Sequence, residues 1–187
     1  MLDVSGWDLL KAVRLAENGN ATVTEWLRSP TVYCGDPDFR DALLALCDDL
    51  ADRSRIGRHY LHVGRDHWAR SGAAEGDVVA LKRVFYALRP AAALHWMRLN
   101  AGVTPPRNLQ QLFAESPPSG DVSDAVDRLV AAKATTRELG AGVVDPPLRR
   151  WVEHEFDLAA KEYERASAVG IDKRAVAAEA FRALLSR

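Results

Sequence analysis

Lys82, Tyr86 and Arg89 fall at i, i+4 and i+7 of a stretch, Val78 to Trp96, whose apolar residues recur at helical spacing. Side chains at those offsets stack along one side of a helix, so an ammonium, a phenol and a guanidinium line up in a row suited to phosphate or carboxylate. A second basic group, Arg58, His59 and His62, precedes them in a segment that also carries Arg55 and Arg65. The competing reading is a buried central helix with a solvated basic edge, its cations paired with acids from neighbouring helices.

The charge distribution favours an anionic partner. Residues 1–52 carry 4 Lys/Arg against 10 Asp/Glu, residues 53–107 carry 10 against 3, and residues 108–187 carry 11 against 13. The formal net charge of −1 therefore hides a basic middle segment, and a local field of that sign suits nucleotide or RNA.

Other constellations carry less. Asp36-Pro37-Asp38 has the letters of a metal-binding acid pair. Its setting at a helix start makes Asp36 a cap and Asp38 a first-turn acid, however. Glu153-His154-Glu155 reads as a solvated helical face, because residues i and i+2 point to different sides. His59 and His62 are three apart, yet no third ligand lies at matching spacing, so no metal is expected. An arginine followed four to six residues later by a histidine marks a helical, metal-independent RNase family, and Arg53 to His59 and Arg89 to His95 both fit. In a segment this rich in Arg and His, chance matches are expected. Cys34 and Cys47 lack CxxC spacing and a His/Cys cluster, which argues against structural zinc and against a disulfide scaffold. No apolar run is long enough to span a bilayer and no targeting segment is legible, so a cytoplasmic protein without a membrane partner is expected.

The elements that position these residues are nearly all helical. With 187 residues, 48 % hydrophobic and 27 % charged, the chain predicts a single helical domain over 1–187. Helix starts are signalled at Ser5 to Asp8, Asn20 or Thr22, Asp36-Pro37, Ser54, Asn108, Ser123, Asp145-Pro146 and Asp172, with a loop at 116–121. The organising helix is expected from about Asp77 to Leu99, kinked near Pro90. Trp7, Trp26 and Trp96 lie on apolar stripes and are expected to be buried. The fold class is thus all-α, a multi-helix domain around a central Pro-kinked helix. Leu2-Asp3-Val4 is a candidate remnant strand at the N-terminus.

Four blocks together suggest a family. GWDLLKAVRLAENGNATVTEWLRSPTVY, HYLHVGRDHW, LKRVFYALRPAAALHW and PPRNLQQLF resemble, in order and spacing, the nucleotidyltransferases of the polymerase-β superfamily associated with RNA repair and labelled RlaP. The resemblance covers roughly residues 3–113. It implies a two-part enzyme: an N-terminal catalytic head, with a Gly-Ser motif and an Asp-x-Asp pair that hold magnesium and nucleotide, followed by a helical domain. This sequence contains no Gly-Ser followed by an acidic pair and begins where the head would be ending.

Residues 1–4 then resemble the head's final strand, which carries the third carboxylate in such folds, and Asp3 becomes an orphan catalytic acid. A lone carboxylate cannot orient two metal ions and a triphosphate. The expectation is therefore the helical part of an RlaP-like transferase, with Lys11, Lys82, Tyr86 and Arg89 facing nucleotide or RNA. Mg2+ and a nucleoside triphosphate would be needed only with a separate head, and no cofactor is expected for this chain alone. The alternative is a stand-alone RNA-binding or RNase-like module using Arg53, Arg58, His59 and His62.

Overall fold

The structure, a computed structural model, describes residues 6–73, 75–76, 78–135, 140–164 and 173–185. The described residues are mostly helical, with one two-stranded sheet, in agreement with the all-α expectation. The candidate strand at 1–4, and with it Asp3, lies outside them. Two compact units form: a terminal one, Met1–Ile56 with Ala168–Arg187, and a central one, Gly57–Ser167.

In the terminal unit, α1 (Leu9–Glu17), α2 (Ala21–Leu27), α3 (Pro37–Leu50) and α9 (Arg174–Leu185) pack around Val13, Val23, Leu43, Leu46, Leu50 and Leu184. The caps follow the sequence signals in two cases. Asn20 accepts from the Thr22 N–H at 2.9 Å, and Asp36 accepts from the Asp38 N–H at 2.9 Å with Pro37 in the first turn. Helix α1 is capped by Asp8, which accepts from the Lys11 N–H at 2.8 Å, rather than by a box opening at Ser5. Gly19 closes α1 at φ +78, a left-handed conformation open to glycine at little cost, and a Cβ there would strike Arg55. Trp26 does not bury as its stripe suggested. It is 44 % exposed, because it stacks on Trp7 (centroids 4.3 Å apart) instead of entering the core. Both thiols are free: Cys34 is exposed, and burial in the core pushes Cys47 up to about 11.

The central unit is organised by α5 (Leu81–Leu99), as its periodicity predicts. From Pro90 to Met97 every residue of α5 is buried, and the helix runs through Pro90 without interruption. Its start is shorter than expected: Val78–Ala80 form strand β1, paired antiparallel with β2 (Ala141–Val143), Val78 opposite Val143. β-Branched Val78 and Val79 favour extended backbone, and the partner strand is remote in sequence, so helical periodicity extended too far.

Around α5 stand α4 (Arg53–Ser71), α6 (Leu109–Glu115), α7 (Gly120–Thr135) and α8 (Pro146–Ala159), the last continuing into a π-helical turn, Ala160–Glu164. Helix α7 begins at Gly120, so the loop foreseen at 116–121 is shorter. Gly57 and Gly64, seven apart on one side of α4, would place Cβ atoms against the rings of Tyr163 and Phe156. The missing side chains permit that close approach. No helix among the described residues is long and apolar enough to cross a membrane.

Candidate functional site

Four helices of the central unit wall a cleft of about 700 Å3. Helix α5 supplies Phe85, Tyr86, Arg89 and Pro90; α4 supplies Val63 and His67; α6 supplies Leu109 and Gln110; α7 supplies Val130 and Lys133. None of these lining residues is acidic.

Arg89, Lys133, His67 and Tyr86 each have neighbours that place them. The Arg89 Nε–H donates to the Arg107 carbonyl at 2.5 Å, and its guanidinium carbon lies 5.8 Å from the Tyr60 ring centroid, which steadies a long side chain at the cleft wall. The Lys133 ammonium sits 4.5 Å from the centre of the Phe85 ring. The His67 and Tyr86 rings are 5.2 Å apart. Arg83 Nη1 donates to His67 Nδ1 at 3.4 Å; since an arginine only donates, Nδ1 carries the lone pair and the neutral ring keeps its proton on Nε2. Burial, then the Arg83 guanidinium, holds His67 below the ordinary imidazole value, against a smaller upward pull from Asp66.

The residues singled out by sequence divide. Tyr86 and Arg89 line the cleft. Lys82 is exposed in the first turn of α5 and is not among the lining residues; Lys133, from α7, is. Arg58, His59 and His62 lie on α4 outside the lining: the Arg58 Nε is buried with no hydrogen-bond partner, the His59 ring meets Tyr60 edge-on at 5.7 Å, and His62 is exposed. Lys11 belongs to the terminal unit, its ammonium 5.5 Å from the Trp7 ring. His67, Phe85 and Lys133 were missed as site residues. The apolar stripe of α4, Ile56, Tyr60 and Val63, points to His67 at the next helical step, a usable signal; nothing local marks Lys133.

A second cluster is closed by its own counter-charges. His95 Nδ1 lies 2.8 Å from Glu155 Oε1, Arg98 Nη2 donates to the same oxygen at 2.7 Å, and Arg98 Nε reaches Oε2 at 3.3 Å. Burial pushes the Glu155 carboxyl up, but the hydrogen bonds from His95 and Arg98 outweigh it and hold the group below its ordinary value. Glu155 is only 2 % exposed, which corrects the reading of Glu153-His154-Glu155 as a solvated face: Glu153 and His154 are exposed, and the third residue turns inward onto α5. His95, 8 % exposed and committed to Glu155, lies six residues from Arg89, about 240° around the helix, so the two side chains do not converge as an RNase pair would. Among the described residues, no group of three or more His, Cys, Asp or Glu is placed to hold a metal ion.

The described lining of the cleft is thus cationic and aromatic, on a helical body. Residues 1–181 match the RlaP family, described as the RNA repair pathway DNA polymerase beta family, and the chain belongs to it. It is also similar to the uncharacterized protein YcgL of Bacillus subtilis (strain 168), 26 % identical over 186 residues, covering 100 % of this chain and 69 % of that protein. No solved structure matches the chain.

Proposed function

We propose that this chain is the helical part of an RlaP-type nucleotidyltransferase, contributing a nucleotide- or RNA-binding surface to chemistry whose paired acids come from a separate head. The observation that carries this reading is the cleft itself: Arg89 and Lys133, from two different helices, stand beside exposed aromatic surface, with no carboxylate among the described lining residues. A polyanion gains charge-assisted contacts there. Nucleotidyl transfer needs acids converging on magnesium, and the sequence has no Gly-Ser followed by Asp-x-Asp. Asp3 would be the third acid of such a set, completed only when the head supplies the other two. Magnesium and the nucleoside triphosphate would enter with that head.

The test is an incubation of the purified chain with single-stranded RNA, labelled nucleoside triphosphates and Mg2+. RNA or nucleotide should bind at low salt, with no label incorporated. Incorporation abolished by Asp3→Asn would mean that the chain carries a complete catalytic site. Failure to bind either RNA or nucleotide would remove the surface role.

A further inference from the structure

We infer that the α4–α7 cleft receives one unstacked nucleotide, its base against Tyr86 and its phosphate between Arg89 and Lys133. The inference rests on the nucleotide- or RNA-binding reading above and specifies what that surface holds. Size comes first. At about 700 Å3 the cleft falls in the range of small-molecule sites, ~300–1,000 Å3, enough for a base with its sugar and phosphate and too little for a duplex.

Ring surface comes second. Phe85 is already covered by the Lys133 ammonium, whereas Tyr86 is 49 % exposed, a large aromatic left open to solvent at the cleft. Base stacking on such a ring requires a base whose faces are uncovered, as in a single strand, a strand end or a free nucleotide. Polar edges come third. The tautomer imposed by Arg83 makes the His67 Nε2–H a donor, and the Gln110 amide both donates and accepts, which is the complement of a base edge and not of a plain anion. The shared chemistry is a base joined to a phosphate, whether it arrives as a free nucleotide or as part of an RNA strand.

Calorimetric titration of the full chain with adenosine 5′-monophosphate and ribose 5-phosphate reads base and phosphate separately. The nucleotide should bind about tenfold tighter, the low end of what one stacked base contributes. Tyr86→Ala should erase that margin and Tyr86→Phe retain it, while Lys133→Glu should weaken both ligands alike. If a single-stranded RNA oligomer displaces the nucleotide, the strand is the source; nucleotide binding with this pattern and no displacement makes free nucleotide the source. Both outcomes support the inference. Equal affinity for the two ligands overturns it, as does nucleotide binding that neither Tyr86→Ala nor Lys133→Glu alters. Should Tyr86→Ala unfold, Lys133→Glu, at an exposed position, and the wild-type comparison still decide. RNA binding without the base margin would sink this inference and leave the surface role standing, whereas loss of all RNA and nucleotide binding would sink that role.

Discussion

Two polar clusters share α5, and they differ in what packs opposite them. At one, His95 and Arg98 meet Glu155, and the acid is almost wholly buried. At the other, Tyr86 and Arg89 with Lys133 line a cleft with no acid among its described lining residues. Identical residue types therefore have different fates on one helix, decided by what α8 and α7 bring opposite them. A cation held on a buried counter-ion serves packing and register, while cations beside an open cleft add a positive field that an external anion can meet.

Breaking the closed cluster should have the largest effect. Glu155→Gln removes the charge and replaces one of the two accepting oxygens with an NH2 donor facing His95 and Arg98; since the Arg98 side chain keeps 35 % exposure, the loss should fall near the low end for a broken buried pair, about 3 kcal/mol. For a domain of this size that is a drop in Tm of about 6–12 °C, read by thermal denaturation, with RNA binding by the folded fraction unchanged. The pH dependence follows from the lowered Glu155 value: stabilisation is fully present above the ordinary carboxyl value of 4.5 and fades as pH falls through the lower folded value. Wild type and Glu155→Gln should therefore begin to converge in stability as pH falls below 4.5, and parallel curves throughout acid titration would contradict the assignment.

Opening the comparison from the other side, Arg89→Ala with Lys133→Ala should weaken RNA binding by about ten- to a hundredfold, the range expected when charge-assisted hydrogen bonds are removed. Stability should fall by only about 1 kcal/mol, roughly the worth of the Arg89 hydrogen bond to the Arg107 carbonyl. A smaller effect comes from His67, which burial and Arg83 keep neutral at pH 7. Protonation on acidification adds a cation at the cleft, so RNA affinity should rise about two- to threefold between pH 7.5 and 5.5, a fraction of one screened contact. RNA is the right ligand, since its phosphodiesters do not titrate in that window. His67→Gln should flatten the rise; an unchanged rise would place its cause elsewhere. The smallest effect belongs to Lys82, exposed and outside the lining: Lys82→Ala should alter neither RNA affinity by more than about twofold nor stability by more than about 0.5 kcal/mol.

The helices were legible because the signals that start and fill them are local. Asn20, Asp36 and Asn108 cap where their side chains predicted, and the apolar spacing from Val84 to Trp96 marked the buried face of α5. What escaped was long-range. Val78–Ala80 became a strand only because Ala141–Val143, more than sixty residues away, pairs with it. Glu155 turned inward because His95 and Arg98 await it on another helix. The cleft was half legible for the same reason: Tyr86 and Arg89 share a stripe of one helix, whereas Lys133 reaches the same opening from α7, and no spacing rule links residues that meet only through tertiary packing.

The most direct test of the central claim is the affinity for single-stranded RNA measured across salt concentrations by filter binding, wild type against Arg89→Ala with Lys133→Ala. An anion-binding cleft predicts that the double variant binds more weakly at low salt and that its log–log salt slope is shallower by about 0.7 for each phosphate no longer neutralised, with cooperative melting retained. Identical affinity and slope in the two proteins would contradict it, and would make these cations, like Arg98, part of the scaffold.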